Sequence, residues 1–201
     1  MNTVLILYPD EFQSQSKFDR KIGNIVSKME EFCIAYLSDK NYLIENYIEK
    51  CEKIIKIIKI ERLEIKNFTH AIIFDDGEVF PKEREIIEKL NVPLRHIKIA
   101  ITRVVNIKKE TKYAATKSTN EYEYIGRGSY WGNPYSMFSA GESREEVIRK
   151  FKYDFDFEKF AKKEKNEVYL LAGKRLGCFC KPDACHGDVL ADFLNKWDDG
   201  E

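Results

Sequence analysis

The first hundred residues alternate short apolar runs with segments of helical spacing, and nothing else in the sequence constrains the fold as strongly. Val4-Leu5-Ile6-Leu7-Tyr8 is an apolar run closed by Pro9-Asp10 and reads as a buried strand. Phe18, Ile22, Ile25, Val26 and Met29 then recur at helical spacing. Phe32 to Leu37 reads as a second strand, and Tyr42 to Cys51 as a helix with Leu43, Tyr47 and Cys51 on one face. Ile54 to Ile60 is β-branched and suits a third strand, while Lys53, Lys56 and Lys59 suit an amphipathic helix equally well. His70 to Phe74 is a strand ending in the turn signal Asp75-Asp76-Gly77. Pro81 opens a helix through Leu90, since proline is tolerated in the first turn, and Asn91-Val92-Pro93 stops it. Leu94 to Val105 contains a further strand. Strands joined by helices of this length predict a parallel sheet with right-handed crossovers.

The character changes near residue 106. Asn106 to Glu121 is polar and lysine-bearing, which suits a linker or exposed loop. Tyr122 to Pro134 is dense in glycine and aromatics. Ser143 followed by Glu146 forms a capping box for a helix within 143–160. Leu170 to Phe179 holds a last strand, and Gly187 to Trp197 a last helix with Val189, Leu190, Phe193, Leu194 and Trp197 at core spacing. The expected division is therefore an α/β domain over 1–105 and a smaller α/β domain over 106–201.

Two segments carry chemistry. In Tyr124-Ile125-Gly126-Arg127-Gly128-Ser129-Tyr130-Trp131-Gly132-Asn133-Pro134, glycines permit close backbone approach to a ligand. Arg127 is suited to clamp a phosphate or carboxylate, Trp131 to stack on a base, and Asn133 to bond an amide or base edge. The plainer alternative is a tight turn with a packed tryptophan. In the second segment, Gly177 to Asp188, three readings stand side by side. Cys178, Cys180, Cys185 and His186 have the number and type of ligands for tetrahedral zinc. Alternatively, Cys185 at a helix start is an activated thiol, with His186 as base and Asp188 orienting the imidazole. The third reading buries Cys178 and Cys180 as core residues, with His186 and Asp188 as helix caps. His70 and His96 lack such company and read as satisfied core or surface histidines. Asp75-Asp76 closes a strand where open α/β sheets bind ligands, although a plain turn explains it as well.

Composition narrows the classes. Lys+Arg and Asp+Glu are both 34, so the net charge is zero, which weighs against a chain-wide grip on nucleic acid or an anionic membrane. No apolar run reaches the roughly 18 residues of a membrane span, and Met1 to Tyr8 lacks the basic start of a signal peptide. A cytoplasmic protein is expected. Its five cysteines, an odd number, do not make a disulfide framework; Cys33 and Cys51 read as structural.

At these two segments the chain resembles a family catalogued as domain of unknown function 4326, found in bacteria and their phages. The likeness runs from about Arg103 to Asn195 through Val105-Asn106-Ile107-Lys108-Lys109, Tyr124-Ile125-Gly126-Arg127-Gly128, Trp131-Gly132-Asn133-Pro134, Ser143-Arg144-Glu145-Glu146-Val147, Gly173 to Cys180 and Cys185-His186-Gly187-Asp188. It implies no particular activity. It does imply that Arg127, Trp131, Asn133, Cys178, Cys180, Cys185, His186 and Asp188 form one recurring constellation. The first hundred residues look like the SLOG group of Rossmann-like nucleotide-binding domains, with Ala71 to Gly77 similar to that group's late strand and turn. Leu37-Ser38-Asp39-Lys40-Asn41 stands where that group places a Gly-rich phosphate loop.

The expectation is thus an α/β chain, a Rossmann-like parallel sheet followed by a smaller α/β domain. Its second half would be an enzyme acting on a nucleotide, nucleoside or nucleic-acid base. Gly126, Arg127, Gly128, Trp131 and Asn133 would bind substrate, and Cys185, His186 and Asp188 would react, or the cysteines would hold a zinc-activated water. The motif lacks the catalytic Glu of the zinc deaminases, so a deaminase is not inferred. The alternative is a non-catalytic nucleotide-binding module with a structural zinc. A nucleic-acid or protein binder using Lys108 to Lys117 and Arg127 is weakened by the neutral charge. No membrane partner is expected.

Overall fold

Strands β1 (Asn2–Leu7), β2 (Phe32–Tyr36), β3 (Ile54–Lys59), β4 (His70–Asp75) and β5 (Leu94–Lys98) form one sheet in the order β3-β2-β1-β4-β5. Every pairing in it is parallel. The structure, a computed structural model, describes residues 1–113, 115–137 and 141–200. The chain divides into two compact units, Met1–Ile99 with Lys196–Glu201, and Ala100–Asn195.

Three helices belong to the first unit: α1 (Gln15–Val26), α2 (Leu43–Ile48) and α3 (Pro81–Lys89). The central strands explain why its sequence reads as unbroken apolar runs. Val4, Leu5 and Ile6 of β1, Ile34 and Ala35 of β2, and Ile72, Ile73 and Phe74 of β4 are all buried, whichever face they take. That is the pattern of a parallel sheet covered on both sides. Phe18 of α1 stacks on Phe74 of β4 at 5.3 Å between ring centroids, and Phe12 stacks on the same ring at 5.2 Å. The lysine-bearing Ile54–Lys59 is a strand, not a helix. It lies at the sheet edge, where exposed Lys56 and Lys59 guard the unpaired side.

After β2, the chain turns through Asp39 into α2. The Asp39 carboxylate accepts the backbone N–H of Ile44 at 3.1 Å and of Glu45 at 3.0 Å, and the Tyr8 hydroxyl. The first donors of α2 are therefore bound by the chain's own carboxylate. At the end of β4, Asp75 accepts the Gly77 N–H at 2.7 Å and lies 2.9 Å from His96 Nε2.

The second unit is built on a three-stranded parallel sheet in the order β6-β8-β7, comprising β6 (Arg103–Asn106), β7 (Tyr122–Tyr124) and β8 (Arg175–Cys178). Helices α4 (Arg144–Asp156) and α5 (His186–Lys196) and a 3-10 helix at Lys165–Leu171 pack with it. Ile125, Trp131, Phe151, Phe155, Val168, Leu176, Leu190 and Leu194 form its core. The Asn195 side chain clasps Thr102, donating to its carbonyl at 3.0 Å and accepting its N–H at 2.9 Å, so α5 is tied to the entry of β6.

The structure adds to the sequence reading in two places and corrects it in a third. Leu94 to Val105 holds two strands, β5 in the first sheet and β6 in the second. Tyr122–Tyr124 is a strand, although three residues are too few to show a period. Trp197 lies beyond α5 and is 38% exposed, so it is no core residue of that helix. In the polar stretch Asn106–Glu121, read as a linker or loop, Thr111–Tyr113 forms a 3-10 turn; position 114 lies outside the described residues. Among the described residues, no helix is long and apolar enough to cross a membrane.

Candidate functional site

Strand β8 ends at Cys178, the chain passes Cys180, and Cys185 immediately precedes α5. Gly177 lets β8 lie against Tyr122, because a Cβ at this position would stand 2.0 Å from the buried Tyr122 hydroxyl oxygen. The loop between the cysteines is pinned on both sides. The Asn106 amide donates to the Lys181 carbonyl, and Arg144 Nη1 donates to the Ala184 carbonyl at 3.2 Å. Asp188, in the first turn of α5, accepts the Cys185 N–H at 2.9 Å, while Gly187 N–H points at Cys185 Sγ at 3.4 Å. These bonds answer early donors of the helix and fix where the sulfur sits.

The three sulfurs converge. The Sγ atoms of Cys178, Cys180 and Cys185 all lie within 4.8 Å of one another, a grouping that could hold a metal ion. Cys178 and Cys180 sulfurs are 3.4 Å apart. All are free thiols. They line a cleft of about 360 Å³, together with His186, Gly126, Arg127, Asn133 and Arg144. Half-exposed Phe179 also lines this cleft and meets Tyr124 edge-on at 6.5 Å. Gly126 and Arg127 of the Gly-Arg-Gly segment thus line one cavity with the cysteine segment, about fifty residues further along the chain. The volume falls within the range of small-molecule sites.

Electrostatics divides the thiols. Donation from the Cys185 thiol, opposed by burial and helped by the Cys180 backbone and thiol, holds Cys178 down at about 5. Cys185, the donor in that bond, is pushed up by it and by burial. Cys180 is pushed up by burial and by Cys178, against the pull of Arg144. Without a metal, the cluster therefore holds one thiolate near neutral pH. His186 is buried, and burial pushes its imidazole pKa down. Its Nε2 lies 2.9 Å from the Ile125 carbonyl, which can only accept, so Nε2 carries the proton. Nδ1 is left with its lone pair, 3.7 Å from Cys185 Sγ.

Not every residue expected at the site stands there. Trp131 is 4% exposed and packs in the core against Phe155, so its indole is not at the cleft surface. Asn133 lines the cleft, but its side chain already donates to Val147 O at 3.0 Å and accepts from Tyr135 N at 2.9 Å. Gly128 has a positive φ of 82° and shapes the turn rather than the cleft wall. Asp188 does not orient the imidazole. Its oxygens serve the Cys185 N–H and Lys181 Nζ, the latter at 2.6 Å, while the Ile125 carbonyl orients His186. His186 is also outside the converged sulfur set. Sequence reasoning missed Arg144 and Phe179. The only available signal was their place in motifs already singled out, directly after the Ser143 cap and between two cysteines.

Comparison with known proteins follows this division. Residues 1–105 match the model described as the minimal SLOG domain, more than half of the chain. The chain belongs to the minimal SLOG domain family. Its five-stranded parallel sheet is the Rossmann-like part, and SLOG residues Leu37 to Asn41 contain Asp39 in place of a glycine-rich loop. Beyond the SLOG domain, residues 105–196 match the model described as Domain of unknown function (DUF4326). The SLOG chain is also 42% identical over 98 residues to the "uncharacterized 12.4 kDa protein in nrdA-td intergenic region" of Enterobacteria phage T4. That match covers 48% of this chain and 80% of the phage protein. No solved structure matches.

Proposed function

We propose that the second unit is an enzyme that binds a nucleotide-class ligand in the cleft and reacts it at the cysteine cluster. One observation carries this reading: Arg127 and Arg144 line the same 360 Å³ cavity as Cys178, Cys180, Cys185 and His186. A guanidinium pair suits a phosphate, because its planar donors match anionic oxygens in pairs. Phe179 offers the aromatic face that Trp131 does not, and so takes the ring of a base. The SLOG relationship of residues 1–105 supports a nucleotide-related setting. The reactive atoms come from the cysteine cluster, with the His186 Nδ1 lone pair beside Cys185 as a proton acceptor.

The test is a panel of mono- and dinucleotides, nucleosides and short single-stranded oligonucleotides, scored for binding and for product. Arg127→Ala and Arg144→Ala should each weaken binding about tenfold or more, the worth of a charge-assisted hydrogen bond. Cys185→Ala should abolish turnover while binding persists. Binding of the panel that ignores both arginines, or turnover that survives Cys185→Ala, would sink the proposal. A second reading, a non-catalytic binding module with a closed metal staple, is favoured by the proximity of His186 Nδ1 to Cys185 Sγ, 3.7 Å. In that case ligand binds and no product forms.

A further inference from the structure

We propose that Cys178, Cys180 and Cys185 hold one zinc ion through three sulfurs, with the fourth tetrahedral position open to the cleft and His186 outside the coordination sphere. This deepens the cleft reading above and rests on it for the ligand, though not for the metal. The donor set comes first. Tetrahedral zinc with bonds of about 2.3 Å to sulfur sets neighbouring sulfurs about 3.8 Å apart. The three Sγ atoms already lie within 4.8 Å of one another, and the Cys178–Cys180 pair is at 3.4 Å. Small side-chain adjustments therefore complete the geometry. Soft sulfur donors in this arrangement select zinc over the hard divalent cations.

The surroundings are also those of a held ion. Gly187 N–H points at Cys185 Sγ, and Asp188 fixes the Cys185 backbone. Asn106 and Arg144 fix the intervening loop through Lys181 and Ala184. Such outer bonds position ligands before the metal arrives. Three thiolates on one divalent ion carry a net negative charge, and the Arg144 guanidinium, which lines the same cleft and reaches Cys180, offsets it.

The open position follows from His186. Its Nδ1 stands 3.7 Å from Cys185 Sγ, yet it is not within 4.8 Å of all three sulfurs, which lie within that distance of one another. The three cysteines line the cavity, so a fourth position on the ion opens toward it. The fourth ligand is then an oxygen from the cleft: a water, or an anionic oxygen of the bound molecule. A site with three protein ligands and one exchangeable position is the arrangement of catalytic zinc, whereas closed sites are structural.

The experiment uses the full chain. Metal analysis of the purified protein should find about one zinc per chain, falling below about a tenth in Cys178→Ser, Cys180→Ser and Cys185→Ser. His186→Ala and His186→Gln should both keep the zinc. After exchange for cobalt, added azide should shift the visible ligand-field bands, because azide enters only an open position. A protein that binds no zinc overturns the proposal entirely. Loss of zinc in both His186 variants, or a cobalt spectrum blind to azide, overturns the open position. The cleft reading fails differently: zinc loads and azide binds, yet no nucleotide of the panel is retained by the protein with or without metal.

Discussion

At the ends of strands β2 and β4 the first unit closes its own carboxylates, whereas at the end of β8 the second unit leaves three sulfurs facing a cleft. Asp39 takes two backbone N–H groups of α2 and the Tyr8 hydroxyl, and Asp75 takes the Gly77 N–H and His96. Both lie where an open α/β sheet receives ligands. The Asp39 carboxylate fills the donors that a phosphate would use, so this edge is answered from within. Cys178, Cys180 and Cys185 have mainly one another, and Arg127 and Arg144 line the same cleft. The family's fold belongs to one unit and the converged sulfurs to the other.

The largest expected effect tests the sulfur side. In metal-free protein, Cys178 is held at about 5 by donation from Cys185, well below an ordinary thiol. Alkylation is a reaction of the thiolate, so its rate should already be flat between pH 6 and 8. At pH 6 roughly nine-tenths of Cys178 should already be thiolate, against on the order of 0.3% of an unperturbed thiol. Mass-spectrometric labelling of each cysteine against pH reads this directly. A Cys178 rate that climbs about tenfold per pH unit across that range would show that no thiolate is held in the cluster. Bound zinc should suppress the labelling.

The next effect tests the carboxylate side. Asp39→Ala leaves the Ile44 and Glu45 N–H groups and the Tyr8 hydroxyl without their acceptor. A charge-assisted hydrogen bond contributes about 1.5–3 kcal/mol, so the first unit should lose roughly that much. Hydrogen exchange of β1, β2 and α2 should accelerate, while exchange in β8 and zinc content stay as they were. If Asp39→Ala leaves exchange unchanged, the carboxylate is not what closes that edge.

Much of this arrangement was legible before the fold was known, and the exceptions have physical causes. Strands β1, β2 and β4 announce themselves because both faces are buried, which writes an unbroken apolar run. Strand β3 was ambiguous because an edge strand with lysines alternates much as a helix face does. β5 and β6 merged because Ile97, Ile99, Ile101 and Val105 are all buried and no glycine or proline marks the passage from one sheet to the next. At the site, the cysteines stood out by composition and spacing alone. Arg144 and Phe179 could not, since only tertiary packing brings α4 and the Cys178–Cys180 stretch to the same cavity. Trp131 shows the converse: an indole in a glycine-rich loop suits ligand stacking and core packing equally, and here burial decided.

The smallest effects separate the site from the rest of each unit. Two helices begin with serine, and the contrast between the units reverses there. Ser143 before α4 accepts the Glu146 N–H at 3.2 Å and is capped in return by the Glu146 carboxylate. Ser14 before α1 is 1% exposed, and its Oγ has no hydrogen-bond partner among the described residues. Ser143→Ala should therefore cost about 1 kcal/mol, the usual value of a lost cap. Ser14→Ala should cost close to nothing, because it removes a buried hydroxyl that gains nothing from the fold. Exchange rates of the first-turn amides of α4 and α1 measure both. Equal costs would mean that Ser14 Oγ does find an acceptor or donor. Unequal costs in the expected order would place the difference between the units at the strand ends, where Asp39 and Asp75 are answered and the cysteines are not, rather than in how well each unit is built.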